Sequence, residues 1–267
     1  LLRLRQGVDG YSRTQQKLGE FVLSDPAKVV YLTITELARE SDTSEASVTR
    51  LCRTLGCTGY NEFKMALALD LQQGQPVEHS GDEIDNVVNE SVQALQDTAK
   101  LLDRTLLESA ALALHQAQSV QIYGVAASAI LGEYLHYKLL RLGKPAQLFS
   151  DMHRAAMNAT TLSKNTLVVA ISSSGSTRDL LHVVKLARKQ GVRVLALSNT
   201  PRSPLASLSD IQLVAAKPEG PLSAGALNAK VGVMLLVELL TTSLIALDEK
   251  YSDVSQQTAS ATLPLLL

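Results

Sequence analysis

Five short apolar runs recur through the second half of the chain: VQIYGV (120–125), AQLF (146–149), TLVVAIS (166–172), VRVLALS (192–198) and IQLVAA (211–216). Helical patterns separate most of them, at Ala129–Leu142, Met152–Leu162 and Arg178–Gln190, with a short turn at Pro204–Leu208 and a last helix near Ala224–Leu247. Strands this apolar leave no face for solvent, so both faces of their sheet must be covered. The pattern therefore predicts an α/β region, a doubly wound five-stranded parallel sheet. With 267 residues, 46% of them hydrophobic, the chain can bury such a core. The run VGVMLLVELLTTSLIAL (231–247) contains Glu238 and three hydroxyl residues and is shorter than the roughly 20 residues a bilayer requires. It is expected to be a buried helix, with no membrane association.

Residues 1–73 have a different texture, helix after helix without a long β-branched run. A polar, turn-rich stretch, GQPVEHSGDE, suggests a linker at 74–83. It leads into a long helical pattern from Ile84 to Gln116 and the α/β region, together 84–267. Within the first part, Ile34, Leu37 and Ala38 form an apolar face. Ser41-Asp42-Thr43 makes a tight turn, and Ser44 can cap a second helix with face Val48, Leu51 and Leu55. The spacing from Ala38 to Val48 and Leu51 fits a DNA-binding helix-turn-helix. Asp42 replaces the glycine often used at such a turn and can visit the left-handed region. Glu45, Ser47, Thr49, Arg50 and Arg53 are expected to face outward, toward base edges and phosphates, and Lys64 to add a phosphate contact. The alternative is a plain three-helix bundle. Net charge is only −1, and residues 1–73 hold nine Lys/Arg against nine Asp/Glu, so any DNA contact must come from a local patch. Cys52 and Cys57 are too few and too oddly spaced for a disulfide framework or a zinc site. They read as packed, reduced thiols of a cytoplasmic protein. No secretory pattern opens the chain, and no metal or cofactor is expected.

The stretch ISSSGSTRD (171–179) joins the third apolar run to a helix. It could hold a nucleophilic serine, cap the helix or bind an anion. GxSxG and GxxxxGK[ST] are both absent, which removes the nucleophile elbow and the P-loop. Capping uses one or two hydroxyls, and more are present. Ser172, Ser174 and Thr177 offer hydroxyls, and the amides of Gly175 and Ser176 lie at a helix start where the dipole favours an anion. A second turn, Gly124–Ser128, follows the first run at the same expected sheet edge.

The serine-rich loop resembles the phosphate loop of SIS (sugar isomerase) domains, and GVAAS resembles their first loop. TSEASVTRLCRTLGCTGYNEFK resembles the recognition segment of the RpiR family of bacterial transcriptional regulators, which join a helix-turn-helix to a SIS domain. Within that family the chain looks most like the regulators of N-acetylneuraminate (sialic acid) catabolism. The resemblance implies a repressor-type regulator that binds operator DNA as a homodimer or larger, with N-acetylmannosamine 6-phosphate, a phosphorylated amino sugar, as effector. It places phosphate on Ser172, Ser174 and Thr177 with the amides of Gly175 and Ser176. It brings Ser128 to the sugar or phosphate, His153 to the sugar, Lys230 to a hydroxyl or the phosphate, and Glu133 to a sugar hydroxyl or amide proton. Salt bridges to Lys138 or Arg141 are the alternative for Glu133. SIS domains also isomerise phosphosugars, for which Glu133, His136 or His153 could act as base. Outward arginines on a helix-turn-helix have no use in an isomerase.

Overall fold

The computed structural model describes residues 4, 11–72, 82–218, 220–222 and 225–265. By contact the chain divides into two compact units, Leu1–Asn86 with Pro218–Ala226, and Val87–Lys217 with Leu227–Leu267. Residues 74–81 of the expected linker and Ala224, the expected start of the last helix, lie outside the described residues.

The first unit contains helices α1 (Arg13–Ser24), α2 (Pro26–Val29), α3 (Ile34–Glu40), α4 (Glu45–Thr54) and α5 (Tyr60–Gln72). Local chemistry sets their starts. Ser12 and Gln15 form a capping box on α1, as Thr33 and Glu36 do on α3. Leu18, Val22, Leu37, Val48, Leu51, Phe63 and Leu67 are buried together in the core of this unit.

The second unit opens with α6 (Glu83–Leu101, begun in the first unit) and α7 (Arg104–Gln116). The single long helix expected over 84–116 is thus two. The break follows from Asp103, whose side chain accepts from the amides of Thr105 and Leu106 and starts a new helix. Then come β1 (Ser119–Gly124), α8 (Ala127–Arg141), β2 (Ala146–Phe149), α9 (Met152–Ala159), β3 (Thr166–Ile171), α10 (Arg178–Lys189), β4 (Arg193–Ser198), a 3-10 turn (Ala206–Leu208) and β5 (Ile211–Val214). All five strands are parallel, in the order β2-β1-β3-β4-β5.

Alternation along β3 demonstrates the double winding. Leu167, Val169 and Ile171 join one core with residues of α7, α8 and α11 (Leu227–Leu247). Val168 and Ala170 face the other core, with residues of α9 and α10. Helix α11 has 21 residues and is long and apolar enough to cross a membrane, so the expectation that it is too short does not hold. Gly232, Val233, Leu236, Val237, Leu240 and Leu244 nevertheless line its buried side. A last helix, α12 (Lys250–Thr262), was not anticipated from the polar sequence KYSDVSQQTASAT. It docks through the buried Tyr251, whose hydroxyl is 3.2 Å from His115 Nδ1.

Candidate functional site

In the helical unit, α3 and α4 meet across Ser41–Thr43. Asp42 adopts φ +49°, the left-handed conformation expected of it, and its carboxylate pairs with Lys17 at 2.7 Å. Ser44 caps α4 by accepting from the amide of Ser47. Val48, Leu51 and Cys52 point inward. Glu45, Arg50 and Arg53 are exposed, and Thr49 is half-buried. Ser47 departs from expectation. It is buried because it shares a helix face with Leu51, one turn on, and its Oγ lies 2.9 Å from Ser44 Oγ. Arg50 Nη2 donates to that same oxygen at 3.1 Å, so Ser47 props the arginine instead of facing a partner. Glu45 Oε1 accepts from Thr35 Oγ1 at 2.6 Å. Lys64, expected at a phosphate, is half-buried with Nζ 5.6 Å from the Tyr60 ring centroid. Burial lowers its affinity for a proton.

In the α/β unit, strand pairing sets two loops side by side. Gly124, the last residue of β1, lies opposite Ile171, the last residue of β3. The turn after β1 is tight: Ala126 takes φ +51°, and a Cβ at Gly124 would come 2.9 Å from the Ser128 carbonyl oxygen. The loop after β3 is built by its own hydroxyls. Buried Ser172 Oγ accepts from the amide of Gly175 at 3.1 Å and lies 3.2 Å from Thr177 Oγ1. Ser174 Oγ accepts from the amide of Ser176 at 3.3 Å and is exposed. Gly175 turns at φ +60°, and a methyl there would overlap Ser203. Thr177 occupies the N-cap of α10, yet its side chain makes no cap bond. The simple capping alternative therefore does not describe this loop. The Ser172 and Thr177 hydroxyls meet at the start of α10, where the helix dipole suits an anion, while the amides of Gly175 and Ser176, expected to face one, donate within the loop to Ser172 and Ser174.

Lys230, in the first turn of α11, donates from Nζ to Ser173 Oγ at 2.9 Å. The lysine expected near the phosphate is thus tied to the loop, through a serine absent from the expected set. Ser173 is also a scaffold: its carbonyl accepts from the Asn199 amide at 3.0 Å and from Thr200 Oγ1 at 3.1 Å. Ser203, behind Gly175, was missed as well. The signal for these residues was present, because Ser173 lies within the serine run and Ser203 follows β4 at the same sheet edge.

Ser128 sits in the first turn of α8, half-buried. Glu133 is exposed and five residues on, roughly 140° further around the helix. Neither salt-bridge alternative for it holds. Lys138 pairs with Glu238 at 2.9 Å, and Arg141 donates to the Ser255 carbonyl at 3.3 Å. His153 is exposed at the start of α9. It lines an open cavity of about 470 Å³ with Met152, Ala156, Met157, Asp179, His182 and Val183. His136 is engaged structurally, 3.1 Å from the Ala146 carbonyl. Among the described residues no cluster of His, Cys, Asp or Glu could hold a metal ion.

A helix-turn-helix with outward arginines, and a serine-walled anion loop on a doubly wound sheet, define a DNA-binding regulator with a sugar-phosphate-type domain. Residues 1–74 match the helix-turn-helix domain of the rpiR family, and residues 113–243 match the SIS domain. An uncharacterized HTH-type transcriptional regulator of Caldanaerobacter subterraneus is 30% identical over 259 residues, 94% of this chain and 91% of that protein. The solved structure of the Vibrio vulnificus NanR protein complexed with ManNAc-6P is 45% identical, with a TM-score of 0.95, over 99% of this chain and 98% of that one. The sugar isomerase domain of an RpiR transcription factor from Sphaerobacter thermophilus is 23% identical, with a TM-score of 0.61, over 67% of this chain and 99% of that one, a likeness in fold alone. The chain belongs to the RpiR family of helix-turn-helix transcriptional regulators carrying a SIS domain.

Proposed function

We propose that this regulator senses N-acetylmannosamine 6-phosphate and represses an operon of sialic acid catabolism. The observation that carries this reading is the uncapped start of α10 behind a hydroxyl-walled loop, in a chain 45% identical to NanR in complex with ManNAc-6P. Ser172, Ser174 and Thr177 hold the phosphate, with the amides of Gly175 and Ser176 exchanging their bonds to Ser172 and Ser174 for the anion. Ser128, His153, Lys230 and Glu133 face the sugar, with Glu133 dependent on a rotation of its side chain toward the loop. Ser44, Glu45, Thr49, Arg50 and Arg53 contact operator DNA.

One recognition helix reads only a half-site of a few base pairs, so the working species is at least a homodimer. The protein acts in the cytoplasm, where phosphosugar and operator meet, and needs no membrane or cofactor. An isomerase would need a base beside the bound sugar carbons. Of the three candidate bases, His136 is engaged by a backbone carbonyl; what supports regulation without turnover is the helix-turn-helix joined to the sugar-phosphate domain, in a chain 45% identical to NanR. Domain roles follow the expected boundaries: residues 1–73 read DNA, 74–83 link, and 84–267 sense the sugar.

Calorimetry with N-acetylmannosamine 6-phosphate, its unphosphorylated form and other hexose 6-phosphates tests the assignment, alongside gel shifts on the DNA upstream of the gene. The expected result is saturable binding of the phosphorylated amino sugar alone and a change in operator affinity on its addition. Equal binding of the unphosphorylated sugar, or sustained conversion of any phosphosugar, would sink it.

A further inference from the structure

Helix α4 ends in a Schellman motif that brings the chain's two cysteines together. Leu55 is the C-cap, and Gly56 follows at φ +89°. The amide of Gly56 bonds to the Arg53 carbonyl at 3.0 Å, and the amide of Cys57 bonds to the Cys52 carbonyl at 2.9 Å. Those two bonds are the 5→2 and 6→1 pairs of the motif, which a side-chain contact between its first and last residues frequently accompanies. Here both of those residues are cysteine. With ordinary backbone lengths, a 2.9 Å bond from the Cys57 amide to the Cys52 carbonyl holds the two Cα atoms within the roughly 4.4–6.8 Å that a disulfide spans. Both are thiols in this structure, and both belong to the core of the helical unit. Cys52 is buried and Cys57 is half-buried.

We infer that Cys52 and Cys57 form a reversible intramolecular disulfide under peroxide, and that this bond weakens operator binding. The two thiols differ in the way such chemistry needs. Cys52 is buried away from oxidant in solvent, and its raised affinity for the proton means that it reacts only with a sulfur held beside it. Cys57 is reached first. Its thiolate sulfur attacks one peroxide oxygen, the O–O bond breaks, and the second oxygen leaves as hydroxide and takes up a proton to become water. Cys57 is then a sulfenic acid. Cys52 Sγ attacks that sulfur, the S–O bond breaks, and the hydroxyl leaves with the Cys52 proton as a second water. Two thiols and one hydrogen peroxide thus give one disulfide and two waters.

The consequence for DNA follows from position. Cys52 lies between Leu51, in the core, and Arg53, on the exposed face. Drawing the Cys52 and Cys57 sulfurs into covalent contact twists the last turn of α4 and displaces Arg53, while Arg50 keeps its Ser47 prop. The effect on operator affinity rests on the recognition-face assignment; formation of the bond does not.

The full chain is treated with millimolar hydrogen peroxide and separated on non-reducing gels. Peptide masses are then measured, and operator affinity is read with and without dithiothreitol. The expected result is a monomeric species whose peptide spanning residues 52–57 is 2 Da lighter. Operator affinity should drop at least fivefold and recover on reduction. Cys57→Ser should bind operator like the reduced parent and ignore peroxide. Reduced protein that fails to bind operator strikes the DNA assignment alone. Absence of the 2 Da loss, a cross-link between copies, or a disulfide form that binds operator as well as the reduced form overturns the inference.

Discussion

At Gly175 the serine loop turns through φ +60° directly against Ser203, and both facts argue against any side chain there. Gly175→Ala should cost about 1–3 kcal/mol of stability from the left-handed backbone and the displaced serine, and should abolish phosphosugar binding because the amides of 175 and 176 are re-aimed. A thermal melt and calorimetry check both; normal affinity in the variant would mean that the loop does not hold the anion. On the recognition helix, Arg50→Ala should weaken operator binding by about 1–3 kcal/mol if the guanidinium reads a base. Repeating the titration at several salt concentrations separates the alternatives, since loss of a phosphate contact lowers the salt slope by about 1. The residue types of the serine loop were legible in sequence because hydroxyls and glycine in that order have few other uses between a strand and a helix. Ser47 and Lys64 were not. Whether a small polar residue turns inward depends on which face a neighbouring helix covers, and a lysine beside Tyr60 has an aromatic face to lie against.

The strands and their crossover helices announce themselves through apolar runs and glycine-marked turns: β2 falls on its expected run, β1 is shifted by one residue, and β3, β4 and β5 differ by one or two residues at one end. What stayed hidden depended on one polar side chain or on docking contacts. Asp103 divides a stretch that periodicity reads as continuous, and α12 is held by the buried Tyr251 and by bonds of Ser255 and Thr258 to Arg141. A third such link is Thr98 on α6, whose hydroxyl accepts from the amide of Ala216, past the end of β5, at 3.0 Å and donates to the Ala94 carbonyl at 2.7 Å. Thr98→Val keeps the shape and leaves a buried amide unbonded, so it should cost about 1–3 kcal/mol in urea unfolding; an unchanged midpoint would show that water or a shift of α6 replaces the bond. Between α8 and α11, Glu238 accepts from Tyr134 and Lys138. The Tyr134 phenol first, then Lys138, holds its carboxyl below the usual carboxylate range, and the same bond raises Tyr134 to about 12. A lowered folded-state value stabilises where Glu238 is ionised in both states, and that stability is lost as pH falls through the carboxylate range toward the folded value. Because the side chain is 41% exposed, solvent screening keeps the contribution below about 1 kcal/mol. Glu238→Gln should lower the unfolding midpoint slightly at pH 7 and converge with the parent in acid; a gap that widened as pH fell would reverse the assignment.

At the scale of the whole molecule, composition said little about DNA, because a net charge of −1 and balanced charges over residues 1–73 hide a patch made by one helix face. The pairing of a recognition helix with a serine loop was legible, since each motif carries its own spacing. How the two communicate was not, because coupling depends on the relative stability of whole-chain arrangements, and spacing along a sequence does not encode that. Thermodynamics nevertheless constrains it. An effector that changes operator affinity must bind one arrangement of the chain better than another, and operator must then change effector affinity by the same factor. Removing the proposed phosphate ligands without touching the helical unit isolates this term. Ser174→Ala combined with Thr177→Ala should leave operator affinity in the absence of effector within about twofold of the parent, since both residues belong to the α/β unit and not to the recognition helix, and should erase the response to phosphosugar. In the parent, the factor by which saturating phosphosugar shifts operator affinity should equal the factor by which saturating operator shifts phosphosugar affinity, each measured by titration at one salt concentration. A double variant that still responds would place the effector elsewhere. Unequal factors in the parent would mean that a third equilibrium, such as assembly of the homodimer, carries part of the signal, and repeating both titrations across a range of protein concentration would then make the discrepancy vary with concentration.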